Sequence, residues 1–398
     1  MPIQYRTPLL ASALAAAFGA TLATPVLAQS NVTIYGTTML FTERVDRNDM
    51  GALTRMGSGT SNLGFRGSED LGGGLKALFQ FETGLILDQD GNPPVTNSSF
   101  FPTRNSHVAL AGDWGTFSLG NWDTPYKVQI LDIGPVRGLN PFDNPLMGNG
   151  GFAVPVTTTQ STRVGGAADA AFNRRQGNMA QYWTPKVGGF SGRVGYSLGE
   201  GRTSVNNTTI KPTLFSMGVR YDMDGLSLRY GYERHDDYFG LSQMGGSAPG
   251  AANASATDQA HFLAAVYSTG GTRVAVMWER LRYENDDTTP GAVKRRSRDA
   301  WEIFAQHRMG QHQVFAEYSK AGSGSCSAVG AACSASGLGA TAWMAGYGYA
   351  LSRRTELYGA YYAINNERNA RYAVFPPAGP TPAGTDVKGL GVGIVHLF

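Results

Sequence analysis

Two cysteines, Cys326 and Cys333, are all that the 398 residues contain. A small disulfide-stapled scaffold is thereby excluded. After residue 28 no run of roughly 18 or more apolar residues occurs, so nothing later in the chain can cross a membrane as a helix. Six histidines (His107, His235, His261, His307, His312 and His396) are scattered, with no H-E-x-x-H or similar metal spacing. The triplet GGG at 72–74 lacks the following Lys-Ser/Thr of a phosphate loop, and LGVGI at 390–394 opens no helix and so is no dinucleotide fingerprint. No nucleophile stands beside a base. These absences leave an enzyme, a metal site or a cofactor without support. Nor is there a basic excess: Arg6 is the only charge in residues 1–28, and the remainder carries a net charge near +2, which excludes a basic nucleic-acid binder.

What is present begins with MPIQYR, a short cationic start, followed by the apolar run LLASALAAAFGATLA and the small-residue tripeptide VLA. This reads as a secretory signal peptide over 1–28, cleaved after Ala28, with the mature chain at 29–398. A retained membrane anchor is the competing reading. The exported chain is then either soluble outside the cytoplasm or a membrane β-barrel.

Very little reads as helix. Segments of roughly ten residues alternate in polarity, as transmembrane barrel strands do. In SNLGFRGSEDLGGGLKALFQFE, residues 61–82, Leu63, Phe65, Leu75, Ala77, Phe79 and Phe81 alternate with Asn62, Arg66, Lys76, Gln80 and Glu82. In LSLRYGYE, Leu226, Leu228, Tyr230 and Tyr232 alternate with Ser227, Arg229, Gly231 and Glu233; FSMGVRY places Ser216, Gly218 and Arg220 on its polar face. RVAVMWE and WEIFAQH follow the same rule. Short connections (EDLGGG, AGDWG, PKVGG, DMDG, STGG, HRMGQH, ALSRR) take turns with long polar ones at 88–102, 123–173, 200–211, 236–258, 285–297, 322–338 and 365–386. That asymmetry belongs to an outer-membrane barrel, and counting between connections predicts sixteen antiparallel strands. In a soluble sandwich the apolar face would be the buried one. Aromatic residues crowding strand ends, such as Tyr182, Trp183, Tyr221, Tyr230, Tyr232 and Tyr361, favour instead the interfacial girdles of a barrel. The polar face is then the inside, and the inside is expected to be water.

From NVTIYGTT at 31–38 to Phe398 the chain resembles the general porins of β-proteobacteria, sixteen-stranded trimeric diffusion channels of the Gram-negative outer membrane. The stretches carrying the resemblance are SNLGFRGSEDLGGGLKALFQFETG, TRNSHVALAGDWGTFSLGNWDTPY, NMAQYWTPKVGGFSGRVGYS and GVGIVHLF. It implies a homotrimer in outer-membrane lipid and lipopolysaccharide, passing ions and small hydrophilic solutes. It also implies a C-terminal strand, with Ile394, His396 and Phe398 on its apolar face, that signals to the barrel-assembly machinery. Two departures remove lumen charge. Where the family often has an Arg two residues beyond LG in the fifth strand, this chain has Asn121 and Trp122. The inward positions of the last strand, often basic, are Val395 and Leu397.

A sixteen-stranded barrel encloses an aqueous channel that something must narrow if it is to sieve. The longest connection, 123–173, follows the fifth strand, where porins fold their third loop inward. For the basic wall of the constriction the candidates are Arg66, Arg104 (opening the fourth strand) and Arg175 (just before the sixth), where the family places its basic cluster. The loop acids facing them are Asp132 and Asp143; Arg137 and Arg163 are lesser candidates. Lys76, Glu82, Arg220, Arg229 and Glu233 are further lumen-facing charges. Opposed charges across a watery neck tune ion selectivity, and a weak anion preference is expected. Cys326 and Cys333, outside any strand, are expected to pair in an external loop. KRRSR at 294–298 reads as a solvated rim that could touch lipopolysaccharide. A channel selective for small organic anions, and a plugged barrel acting as adhesin or receptor, are the rival functions.

Overall fold

The computed structural model describes residues 31–88, 102, 104–136, 146–147, 172, 174–199, 203–205, 207–237, 254–374 and 381–398. Sixteen antiparallel barrel strands run through them: β1 (Asn31–Asp46), β2 (Ala52–Ser58 continued by Asn62–Gly72), β3 (Leu75–Gly84), β4 (Ser106–Gly112), β5 (Gly115–Asp123), β6 (Arg175–Trp183), β7 (Phe190–Ser197) and β8 (Thr213–Met223). They continue with β9 (Leu226–Asp236), β10 (Ala256–Thr269), β11 (Thr272–Asn285), β12 (Val293–Met309), β13 (His312–Ala321), β14 (Ala340–Ala350), β15 (Thr355–Asn366) and β16 (Val387–Leu397). Each strand pairs with its sequence neighbour, and β16 returns to β1 through Thr37↔Leu397 to Asp46↔Lys388, so the sheet closes. Helix among the described residues is confined to a 3-10 turn, Asn48–Met50, and one short α-helix, α1 (Pro125–Val128). The signal-peptide span lies outside the described residues.

Closure is made at a glycine. Phe398 and Gly36 exchange backbone hydrogen bonds of 3.1 Å in both directions. A Cβ on Gly36 would stand 2.4 Å from the Phe398 ring and 2.5 Å from the Asn62 carbonyl oxygen, so only glycine lets the terminus pack there. The break in β2 at 59–61 is bridged by a side chain: Met39 N–H donates to Ser61 Oγ (2.8 Å), and the Ser61 hydroxyl donates to Met39 O (3.1 Å). Opposite the loop end, Gly72, Gly73 and Gly74 all have φ between 60 and 85°, a left-handed run that residues with a Cβ rarely adopt.

Alternation along the strands sorts the faces. Val32, Ile34, Val108, Leu119, Val276, Leu390 and Val392 are exposed on the outside, while Glu82, His107, Gln181, Ser216 and Arg229 are buried on the inside. The interior nevertheless departs from the expectation of water alone. Phe262, Met277, Leu281, Tyr283 and Phe304 point inward and pack against Tyr126, Ile133, Val136, Leu146, Met147 and Phe172 of the third loop. Half of the lumen is thus a core, because the loop brings in apolar residues that need apolar partners. Trp183, expected in the outer girdle, also faces inward, since it follows Gln181 on the even-spaced inner row.

Two loop expectations are corrected. β12 begins at Val293, inside the 285–297 connection, and its outer extension pairs with a short strand, Ser325–Ala328, that contains Cys326. Cys326 is joined to Cys333 by a disulfide with a Cα–Cα distance of 5.7 Å. Only part of KRRSR is rim: Lys294 and Arg295 are exposed, whereas Arg296 and Arg298 are 0% and 1% exposed and point into the barrel.

Gly36→Val should strain the seam by about 1–3 kcal/mol through overpacking. The expected result is a lower temperature at which the compact band is lost in heat-modifiable gel electrophoresis, with Gly51→Val (nothing within 4 Å of its added Cβ, though its positive φ adds some strain) losing less.

Candidate functional site: the channel lumen

The third loop leaves the wall through a helix start. Thr124 caps α1 by accepting from Lys127 N–H at 3.3 Å, and Pro125 occupies the first turn, where its missing N–H is no loss. The helix lies against β8 and β9 at Gly218 and Gly231. A Cβ on Gly218 would meet Gln129 Nε2 at 2.1 Å and Pro125 O at 2.6 Å; one on Gly231 would meet the Tyr126 ring at 3.0 Å. Tyr126 then fixes the loop: its N–H donates to Ser216 Oγ (2.9 Å) and its hydroxyl donates to Glu279 Oε2 (2.7 Å). Glu279 is paired in turn with Arg298 (3.0 Å), which donates to the carbonyl of Leu146 at 2.6 Å. Gln313 Nε2 holds the carbonyl of Pro135. The described residues of the loop are therefore tied to β8, β11, β12 and β13 from inside the barrel.

Two basic groups flank the lumen. In the first, Arg66 lies 4.9 Å over the Tyr35 ring, the Tyr35 hydroxyl donates to Glu82 (3.0 Å), and Glu82 pairs with Arg104 at 2.6 Å. Beside it, Asp123 is buried between Lys127 (3.0 Å) and Arg175 (3.2 Å), and Asn105 braces that pair by donating to Asp123 and accepting from Arg175, both at 2.6 Å. Arg66, Arg104 and Arg175 thus fall in two adjacent clusters, close enough that the charges of Arg104 and Glu82 act on Arg175. Arg104 sits two residues ahead of β4, and Arg175 is the first residue of β6.

The second group was only half visible in the sequence. Asp132 is ion-paired with Arg229, with Arg220 at 3.4 Å and Arg273 at 3.9 Å. Its contacts are on the β8–β11 wall, so the expected opposition to Arg66, Arg104 and Arg175 is not how its charge is spent: the loop is pinned beside β8–β11 by α1, and Asp132 meets the nearest guanidiniums. Burial would push its carboxyl up, but the hydrogen bond and charge of Arg229 outweigh this and hold it below the usual carboxylate range. Arg193, which the sequence reading missed, lies with its guanidinium 4.4 Å over the Trp183 ring. Its signal was its inward parity on β7.

The remaining candidates divide. Lys76 is exposed on the inner face near the short-turn end. Glu233 is no open lumen charge: it is fully buried, bonded to His235 Nε2 at 2.8 Å, with Phe172 stacked on that imidazole at 4.5 Å. The loop covers it. On the far wall the inward acids Glu302, Glu317 and Glu356 are buried as well. Asp143, Arg137 and Arg163 lie outside the described residues. Ile394, His396 and Phe398 stand on the outer face of the last strand, as expected.

The chain belongs to the Gram-negative porin family, whose model matches residues 11–369. It is 29% identical over 402 residues to outer membrane porin protein 32 of Delftia acidovorans, covering 98% of this chain and 99% of that protein. Major outer membrane protein P.IB of Neisseria meningitidis serogroup A is 30% identical over 227 residues, 54% of this chain and 58% of that protein. Among solved structures, the anion-selective porin from Comamonas acidovorans superposes with a TM-score of 0.72 at 24% identity, over 93% of this chain and all of that one. OmpT of Vibrio cholerae in its trimer form gives 0.61 at 15% identity, over 93% and 99% of the two chains. The protein is located in the outer membrane and forms a water-filled channel through which ions and small hydrophilic solutes diffuse passively. Family and fold point to a channel rather than an enzyme.

Tyr126→Phe removes a hydrogen bond to a buried carboxylate, a loss of about 1.5–3 kcal/mol. The barrel should still form, and single-channel recordings should show flickering and closure at lower voltage than in the unaltered protein.

Proposed function

We propose that the channel weakly prefers anions. The observation that carries this is the balance of the two basic groups. Arg66, Arg104, Arg175, Lys127, Arg193, Arg220, Arg229 and Arg273 face three carboxylates, Glu82, Asp123 and Asp132. A positive throat between low-dielectric walls concentrates anions locally. The solved porin from Comamonas acidovorans, called anion-selective, has the same fold, which agrees with this reading. Loop 123–173 acts as the constriction, with Asp132 tempering the wall beside it.

The working unit is a homotrimer. Outward Tyr and Trp residues mark β6–β15 (Tyr196, Tyr267, Trp278, Trp301, Tyr318, Trp343 among them) but are absent from the outer faces of β16 and β1–β5 among the described residues. Interfacial aromatics belong where a strand meets a lipid headgroup, so the six bare strands suit subunit contact. Arg280 and Arg295, exposed at the loop ends of β11 and β12, with Arg282 half-buried between them, suit the phosphates of lipopolysaccharide. The outer face of β16 suits docking to the barrel-assembly machinery, after cleavage of the 1–28 signal.

In a planar bilayer, conductance should rise in groups of three steps, with an anion-favouring reversal potential in a potassium chloride gradient. Arg66→Ala, Arg104→Ala and Arg175→Ala together remove three of the eight cations and should carry that potential toward zero or past it. An unchanged potential would refute the assignment. Asp132→Asn should move it the other way. Acidification should also strengthen anion preference, since carboxylates lose charge as pH falls, with Asp132 among the last to protonate because its range is depressed.

A further inference from the structure

Beside the basic groups the inner wall carries something a passive sieve has no need of. Trp122, which points into the lumen, stacks on His107 with ring centroids 4.2 Å apart and meets Trp183 at 5.3 Å. Both indoles are half-buried on the inner wall. They are also held in place: the Trp183 indole N–H donates to Gln181 Oε1 (2.9 Å), and His107 Nδ1 shares a 2.7 Å hydrogen bond with Ser118 Oγ. Over Trp183 lies Arg193, half-buried, its guanidinium carbon 4.4 Å from the centre of the indole. Among the described residues its guanidinium makes no hydrogen bond or ion pair, although the charge of Asp123 reaches it. A guanidinium held over an aromatic ring keeps N–H donors available for a carboxylate.

We propose that the lumen holds a binding site for small aromatic carboxylates, the ring resting on Trp122 and Trp183 and the carboxylate on the guanidinium of Arg193. The site rests on the anion preference argued above and narrows it to a substrate class. Stacking against an indole favours a planar ring over an aliphatic one. The surrounding cations exclude aromatic amines. Sugars also stack on indoles, but their recognition calls for hydrogen-bond acceptors, and the group offered here is a cation with donors only.

The test is block of chloride current through the purified full chain in a planar bilayer. Benzoate should reduce conductance saturably, at about fivefold lower concentration than cyclohexanecarboxylate, with acetate showing no saturation. Trp122→Leu and Trp183→Leu should each erase most of the ring advantage. Arg193→Gln should weaken block by benzoate and leave that by benzyl alcohol unchanged. Equal block by benzoate and cyclohexanecarboxylate would overturn the site, as would a ring advantage surviving in both tryptophan variants, or maltose blocking as well as benzoate. Should the variants fail to yield the compact unheated gel band, the ring comparison in the unaltered protein decides alone. A cation-favouring potential in plain potassium chloride would overturn the charge reading separately, whatever benzoate does.

Discussion

A backbone N–H or C=O without a partner costs several kcal/mol in hydrocarbon, so a sheet in a bilayer must close on itself. The seam between β1 and β16 is where this chain meets that constraint. Everything inside depends on it, because an open edge would leave no lumen. The seam is closed at a small residue, Gly36, which makes room for the Phe398 ring, and on the other edge of β1 the Ser61 hydroxyl bonds both the N–H and the carbonyl of Met39 where β2 is broken. Neither device involves the alternation of apolar and polar residues that makes the strands. Alternation decides which face meets lipid, and closure decides whether there is an inside.

Once closed, the barrel must hold a loop in water without letting it wander. The third loop is held by an unequal division of the interior. Toward β8–β13 it is packed like a protein core, with Tyr126, Phe172 and Tyr283 ring to ring. The polar members of that core, Glu279 and Arg298, are paired with each other and bonded to the loop. A buried ion pair of this kind contributes little net stability compared with apolar side chains of the same size. Its use here is positional: one carboxylate accepts from Tyr126 and one guanidinium donates to Leu146, so both limbs of the loop are referred to the same two residues. Toward β2 and β3, Arg66 and Lys76 stay exposed.

The strands and their number were legible because a barrel strand is a local object. Period-two alternation over ten residues says which side chains share a face, and the alternation of short and long connections says how many strands there are. Lumen parity was equally local, which is why Arg66, Arg220, Arg229 and Glu82 were all placed on the inner face from sequence. What parity could not say is what stands in front of a side chain. Glu233 and Arg229 alternate on the same strand, yet the loop buries the first with His235 and brings Asp132 to the second. Arg296 and Arg298 looked like rim because KRRSR is a run of charge. Only the depth reached by the third loop makes their two inward positions interior. Trp183 failed for a related reason: an aromatic near a strand end suits a girdle or a lumen, and parity had to be read together with Gln181 to choose.

The same limit explains the charge of the throat. From sequence, Asn121 with Trp122, Val395 and Leu397 look like a channel losing its positive wall. In three dimensions the loss is made up by Arg193, Arg220 and Arg273, which come from β7, β8 and β11 and converge only because the barrel curves. Five of the eight cations in the two basic groups are left without a carboxylate of their own, and the inward acids Glu302, Glu317 and Glu356 of the far wall are buried. Trp122 therefore bears on what the throat can hold more than on how it is charged. An indole adds no charge, but it gives a passing anion a surface on which to lie beside a guanidinium. Selectivity by sign and selectivity by shape can then be varied independently on one wall.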